Sequence, residues 1–143
     1  MKIEEHEQAY EEHLSHINKA IEEGLEENQR NAGYNVSQGA VELFAIYLHK
    51  LRLLQDSGDQ LDHRIFKNKN LIEKRIPPDF PNKKKILELM RNIEMDRNII
   101  CYGKRKPLEK IEELIEIFQE LRKIINFNLK NLKGGQKPED GKK

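Results

Sequence analysis

The chain has 143 residues, a formal net charge of +1, and equal shares, 36% each, of hydrophobic and charged residues. That length fits one domain with a core of its own, and near-neutral charge excludes a global field that would select a nucleic acid or a membrane. The single cysteine, Cys101, excludes a disulfide framework or thiolate metal cluster and fits a reducing cytoplasm.

The aliphatic residues are mainly Leu and Ile spread among Glu and Lys, which favours helix over strand. Met1 to Glu5 lacks an apolar signal core, and no stretch approaches ~18 apolar residues, so a protein neither secreted nor membrane-spanning is expected. The first helix is predicted from Glu4 to Asn28, with a narrow stripe of Tyr10, Leu14, Ile17, Ile21 and Leu25 that packs on one side. Asn28 to Asn35, polar and holding Gly33, reads as a loop. Ser37 reads as the N-cap of a second helix that runs to Ser57 and stops at Gly58. Val41, Phe44, Leu48 and Leu51 line one face of it, and Leu43, Ile46 and Leu53 the other. A helix so apolar around its girth is central or faces a second subunit.

A short helix from Leu61 to Arg75 precedes Pro77, Pro78 and Pro81, which forbid regular structure. A fourth helix follows from Asn82 to Tyr102, capped by Gly103. Lys104-Arg105-Lys106-Pro107 is a basic turn, and Leu108 to Leu132 form the fifth helix, with Ile111, Leu114, Phe118, Leu121, Ile125 and Leu129 in its stripe. Gly134 to Lys143 is Gly, Pro and charge, read as a disordered tail behind a single domain over residues 1–133. The expected fold is an all-α antiparallel bundle of four to five helices. Charge divides along it: residues 1–28 carry nine Glu against two Lys, and residues 62–106 carry thirteen Lys or Arg against six Asp or Glu. Two solvated faces would account for that division.

One residue does not fit its helix. At about 100° per residue, Ile86, Met90, Ile93 and Ile100 share a face, and Arg97 falls in its middle. A guanidinium stays charged at neutral pH and is costly to bury unpaired. It therefore needs a carboxylate such as Glu94 at i, i+3, or a cleft, or a bound anion. With Asn98 beside it and Tyr102 near the helix end, the set suits a phosphodiester: Arg grips phosphate bidentately, Asn orients, and Tyr stacks or hydrogen-bonds.

The run Arg97-Asn98-Ile99-Ile100-Cys101-Tyr102-Gly103 resembles the HEPN (higher eukaryotes and prokaryotes nucleotide-binding) family. Its motif is Arg, often then Asn, and a few residues later His, at the end of a late helix. Arg97, Asn98 and the aliphatic pair match; Tyr102 stands where the family has His, and Lys104 where its toxin members have a further Tyr. The upstream helix Gln38 to Tyr47 is also similar, so the resemblance spans about residues 5–130. It implies a small helical bundle, typically a homodimer, and a metal-independent endoribonuclease or a degenerate RNA- or nucleotide-binding relative. Arg97, Asn98 and Tyr102 would centre its site. It also implies, as an alternative, a non-enzymatic interaction module paired with a small nucleotidyltransferase-like antitoxin.

Tyr102 is a poor base at neutral pH. His63 is a general acid/base candidate by type that could replace the family His in space; a capping or surface role is its plainer reading. Glu42 and His49, seven residues apart on one line of the second helix, are semi-buried candidates, with Glu42 a candidate partner of Arg97. Lys104, Arg105 and Lys106, with Arg64, are candidate RNA-phosphate contacts, more so than Lys83-Lys84-Lys85. His13 and His16 at i, i+3 could hold a metal with Glu12, but no motif has a specific metal geometry, and neither metal nor cofactor is expected. Walker, dinucleotide, nucleophile-elbow and zincin motifs do not occur.

Overall fold

The computed structural model describes residues 2–54, 61–76 and 79–135, with the side chains of 133–135 left aside. Helix α1 is Ile3–Glu23, α2 Gln29–Lys50, α3 Lys69–Arg75, α4 Lys83–Cys101 and α5 Leu108–Gly135, and a 3₁₀ turn covers His63–Lys67. The fold is therefore all-α, with no strand among the described residues. Helices α1, α2, α4 and α5 form a bundle, and the 3₁₀ turn and α3 bridge α2 to α4.

Side-chain contacts give the directions. His13 meets Asn35 and His6 meets Glu42, so α2 runs antiparallel to α1. Lys110 meets Asp96 and Asn128 meets Asn82, so α5 runs antiparallel to α4. Helix α2 touches α1, α4, α5 and the 3₁₀ turn. Ala32, Val36, Ala40, Phe44, Ala45, Tyr47 and Leu48 on it are wholly excluded from solvent. Its all-round apolarity is thus used inside one chain. Phe118, Leu121, Ile125 and Ile111 from α5 and Ile86, Met90, Ile93 and Ile100 from α4 close the core over it.

Several boundaries differ from the sequence reading, each for a physical reason. Helix α1 ends at Gly24, whose φ of +118° breaks the helix before Asn28. Helix α2 starts at Gln29, not Ser37, which is buried inside the helix. The stretch taken for a loop is helical because its small and polar residues serve packing. A Cβ on Gly33 would stand 3.0 Å from Cys101 Sγ and 3.2 Å from an Ile100 methyl, so this glycine marks where α2 and α4 approach closely. Gln29, fully buried, accepts from Lys106 N at 2.7 Å and donates to the carbonyls of Lys106 at 3.1 Å and Glu26 at 2.9 Å. That one amide ties the α1–α2 and α4–α5 connections together.

Helix α2 ends at Lys50, and the expected stop at Ser57-Gly58 lies outside the described residues, as do Pro77 and Pro78. Helix α4 begins after Asn82, which adopts the left-handed region (φ +60°) that Asn tolerates, its side chain held by Asn128 at 2.9 Å. Tyr102 is extended and Gly103 has a φ of +79°, which breaks the helix here as expected. Helix α5 continues to Gly135, three residues past the expected end, since propagating a formed helix costs little. Of the expected tail, residues 136–143 lie outside the described residues. No described helix is long and apolar enough to cross a membrane.

The Gln29 tie generates a stability prediction. Gln29→Ala leaves the partly buried Lys106 N–H without its acceptor and should lower unfolding free energy by about 1–3 kcal/mol, measured by urea denaturation. An unchanged midpoint would show that the two connections hold without it.

Candidate functional site

Helix α4 delivers Glu94, Asp96, Arg97 and Asn98 within little more than one turn, and three of the four are buried ionisable groups. Arg97, 8% exposed, sits on the core-facing side as the helical wheel requires. Its side chain makes a long hydrogen bond, Nη1 to Asn98 Oδ1 at 3.5 Å, and Nε is buried with no partner. No carboxylate among the described residues forms an ion pair with it.

Glu94, only 2% exposed, forms no ion pair with Arg97. Its carboxylate accepts from His63 Nδ1 at 2.9 and 3.1 Å and from Asn98 Nδ2 at 3.4 Å. The side chains therefore form a chain, His63–Glu94–Asn98–Arg97, running from the 3₁₀ turn into the bundle. Asp62 caps that turn by accepting from Arg64 N at 2.8 Å, which fixes the backbone that presents His63. Because a carboxylate can only accept, the hydrogen on neutral His63 resides at Nδ1, and Nε2 keeps its lone pair. Asp62 Oδ1 stands 4.0 Å from Nε2, and His63 remains 17% exposed at its side chain. Asp62 itself is committed to Arg64, whose guanidinium holds its carboxyl at about 2.

The structure thus brings together Arg97, Asn98 and His63 and adds Glu94 as their hub. It separates the others. Glu42 is not a partner of Arg97: its carboxylate pairs with His6 Nδ1 at 2.6 Å, on the α1 side of α2, where the His49 ring lies 5.2 Å from that of His6. The semi-burial expected of Glu42 and His49 holds, but α1 is what covers them. Tyr102 is 62% exposed and makes no hydrogen bond among the described residues, because its extended backbone carries it off the helix. Lys104 is exposed. Arg105 is not a free cation: its guanidinium donates to the Glu26 carbonyl. Lys106 is bound through its backbone to Gln29. Arg64, exposed, forms a bidentate contact with Asp62. Among the described residues, no group of three or more His, Cys, Asp or Glu is placed to hold a metal ion.

Two features escaped the sequence reading. Arg30 donates to the Gly103 carbonyl at 2.9 Å and so pins the turn after α4. Asp96, 6% exposed, meets Lys110 Nζ at 2.9 Å, and the same ammonium meets Glu113 at 2.9 Å. Only the Lys110–Glu113 i, i+3 spacing was visible in the sequence. Burial, and next the Glu113 carboxylate, push Asp96 up to about 6 against the pull of Lys110. The thiol of Cys101 is likewise raised by burial, with the charges of Arg97 and Arg30 acting to lower it.

Compared with family models, curated proteins and solved structures, the chain matches none.

The raised Asp96 carboxyl has a pH consequence. Its folded value lies above the ordinary 3.8, so the stability it confers is fully present below 3.8 and is lost as pH rises through about 6. The Glu113 carboxyl, held low by Asp96 and Lys110, works in the opposite sense. Asp96→Asn should therefore gain stability relative to the parent as pH climbs from 3.8 past 6, read by denaturant unfolding at a pH series. A constant difference across the series would show that Asp96 ionises as it does in the unfolded chain.

Proposed function

We propose that the chain is an RNA-directed protein of the HEPN kind, and that it cleaves RNA without a metal. The observation that carries this reading is the guanidinium of Arg97, deep in the bundle wall with Nε unpartnered and no paired carboxylate, linked through Asn98 and Glu94 to His63. A buried charge left open in this way favours an incoming anion. Tyr102 gives no base, but His63 supplies one by another route. Glu94 orients the ring through Nδ1, and Nε2 is left to take a proton.

In the proposed reaction His63 Nε2 removes the proton of a ribose 2′-hydroxyl. The 2′-oxygen bonds to the adjacent phosphorus, the bond from phosphorus to the 5′-oxygen breaks, that oxygen takes a proton from solvent water, and His63 afterwards returns its own proton to solvent. The products are a 2′,3′-cyclic phosphate and a 5′-hydroxyl. Arg97 stabilises the added charge on the phosphoryl oxygens, and Asn98 positions them. The imidazolium formed at His63 is stabilised by the buried Glu94 carboxylate.

A second reading, the non-enzymatic interaction module, is favoured by Met95, Ile99 and Tyr102. They are 51%, 41% and 62% exposed; Met95 and Ile99 stand at i, i+4 along α4, and Tyr102 follows just past the helix end. This stripe would make a homodimer contact or receive a nucleotidyltransferase-like antitoxin, as the HEPN resemblance implies.

Cleavage of mixed-sequence RNA in EDTA separates the two readings. The parent protein should cut, Arg97→Ala should abolish cutting, and His63→Ala should slow it by roughly 10²–10⁴-fold, with both variants first shown to unfold at the parent's midpoint. A folded parent that leaves the RNA intact would refute the enzyme and favour the interaction module. Equal cutting by parent and His63→Ala would remove His63 as the base.

A further inference from the structure

A groove of about 740 Å³ lies between α3 and α4. Its floor is apolar, made by Ile72, Leu87 and Met95, and its walls carry Lys69 from α3 and Lys83, Lys84 and Arg91 from α4. Two carboxylates, Glu73 and Glu88, share the lining, but Glu88 is engaged by Lys85 at 3.4 Å. The groove is therefore cationic in balance. Lys84 and Arg91 are exposed, so their charge is available to a ligand.

The groove also has a direction. Lys84, Arg91 and Asn98 recur every seven residues, which puts them on one line of α4 about 10.5 Å apart along the axis. The third of these is the Asn98 that contacts Arg97 Nη1. Asn98 lies beyond the groove's lining, which ends at Met95, so a polyanion seated on Lys84 and Arg91 is aligned with Asn98, beside which Arg97 Nη1 lies on the core-facing side.

We propose that this groove holds the sugar–phosphate backbone of a single RNA strand and feeds it to Arg97; the proposal rests on the RNA reading above and adds the strand's path. Lys84 and Arg91 hold phosphates, and the apolar floor takes the ribose faces. None of the groove's lining residues is aromatic, so bases are not stacked there and binding along it is tolerant of sequence. The strand is single because its phosphate must reach a guanidinium only 8% exposed, which a splayed chain can do and a stiff A-form duplex cannot.

The test is fluorescence anisotropy with two probes, a mixed-sequence single-stranded RNA dodecamer and a trinucleotide, on the full chain. The parent is compared with the double variant Lys84→Glu/Arg91→Glu and with Arg97→Ala, all matched for unfolding midpoint. The double variant should bind the dodecamer about tenfold more weakly or worse. Its dependence of log affinity on log salt should be shallower by roughly 0.7 for each phosphate contact removed, and its trinucleotide binding should equal the parent's. Dodecamer binding that survives the double variant but is lost in Arg97→Ala would overturn the groove path and leave the RNA reading standing. No binding of either RNA by the parent would overturn both. A glutamate-rich peptide of matched charge that binds the parent as tightly as the dodecamer would overturn the proposal in favour of an acidic protein partner.

Discussion

Burying a carboxylate costs several kcal/mol unless its oxygens find partners. Glu94, 2% exposed in the wall of the bundle, meets that demand with His63 on one side and Asn98 on the other. The arrangement around it follows from this constraint. The 3₁₀ turn must lie against α4 so that His63 can reach in, and the Asp62 cap holds the turn in that shape. Asn98, with its amide nitrogen directed to Glu94, presents its oxygen to Arg97. Glu94 spends these contacts on His63 and Asn98 and forms no ion pair with Arg97 one turn away, so the buried Arg97 Nε keeps no hydrogen-bond partner. The same carboxylate thus takes the Nδ1 hydrogen of the histidine and, in the proposed reaction, leaves the arginine to the phosphodiester.

Helix α2 provides the frame. Excluded from solvent over most of its length, it lets α1, α4 and α5 pack around it. Gly33 permits α4 to come close at Cys101 and Ile100, which fixes the depth at which Arg97 enters the bundle. Gln29 joins the two connections at that end, and Arg30 pins the turn after α4. On the opposite end Tyr47 donates to the Pro81 carbonyl at 3.0 Å and accepts from Asn128 at 2.9 Å, anchoring the start of α4.

Much of this frame was legible in the residues. The 3.6-residue stripes of α4 and α5 are strong, and Arg97's place among Ile86, Met90, Ile93 and Ile100 emerged from the wheel alone. The early start of α2 was not legible, because Gly33 and the amides around it carry loop chemistry locally and acquire their helical role only when α4 packs against them. The pairing of His63 with Glu94 spans 31 positions and has no local spacing to reveal it. Glu42 illustrates the same limit from the other side. Its semi-burial was visible, but whether His6 or Arg97 would meet it depended on which neighbouring helix covers that face of α2. Asp96 escaped notice because its partner Lys110 lies across the α4–α5 turn.

The account turns on whether the guanidinium of Arg97 is open to a phosphodiester. The most direct measurement is the ¹⁵N–¹H signal of Arg97 Nε, assigned by its loss in Arg97→Lys and followed while a dinucleoside monophosphate is added. The account predicts a saturable shift of that signal, with the ring signals of His63 moving in step through Glu94. A signal that stays fixed through the titration would mean that the arginine is sealed in the bundle as a structural charge, and would contradict the account.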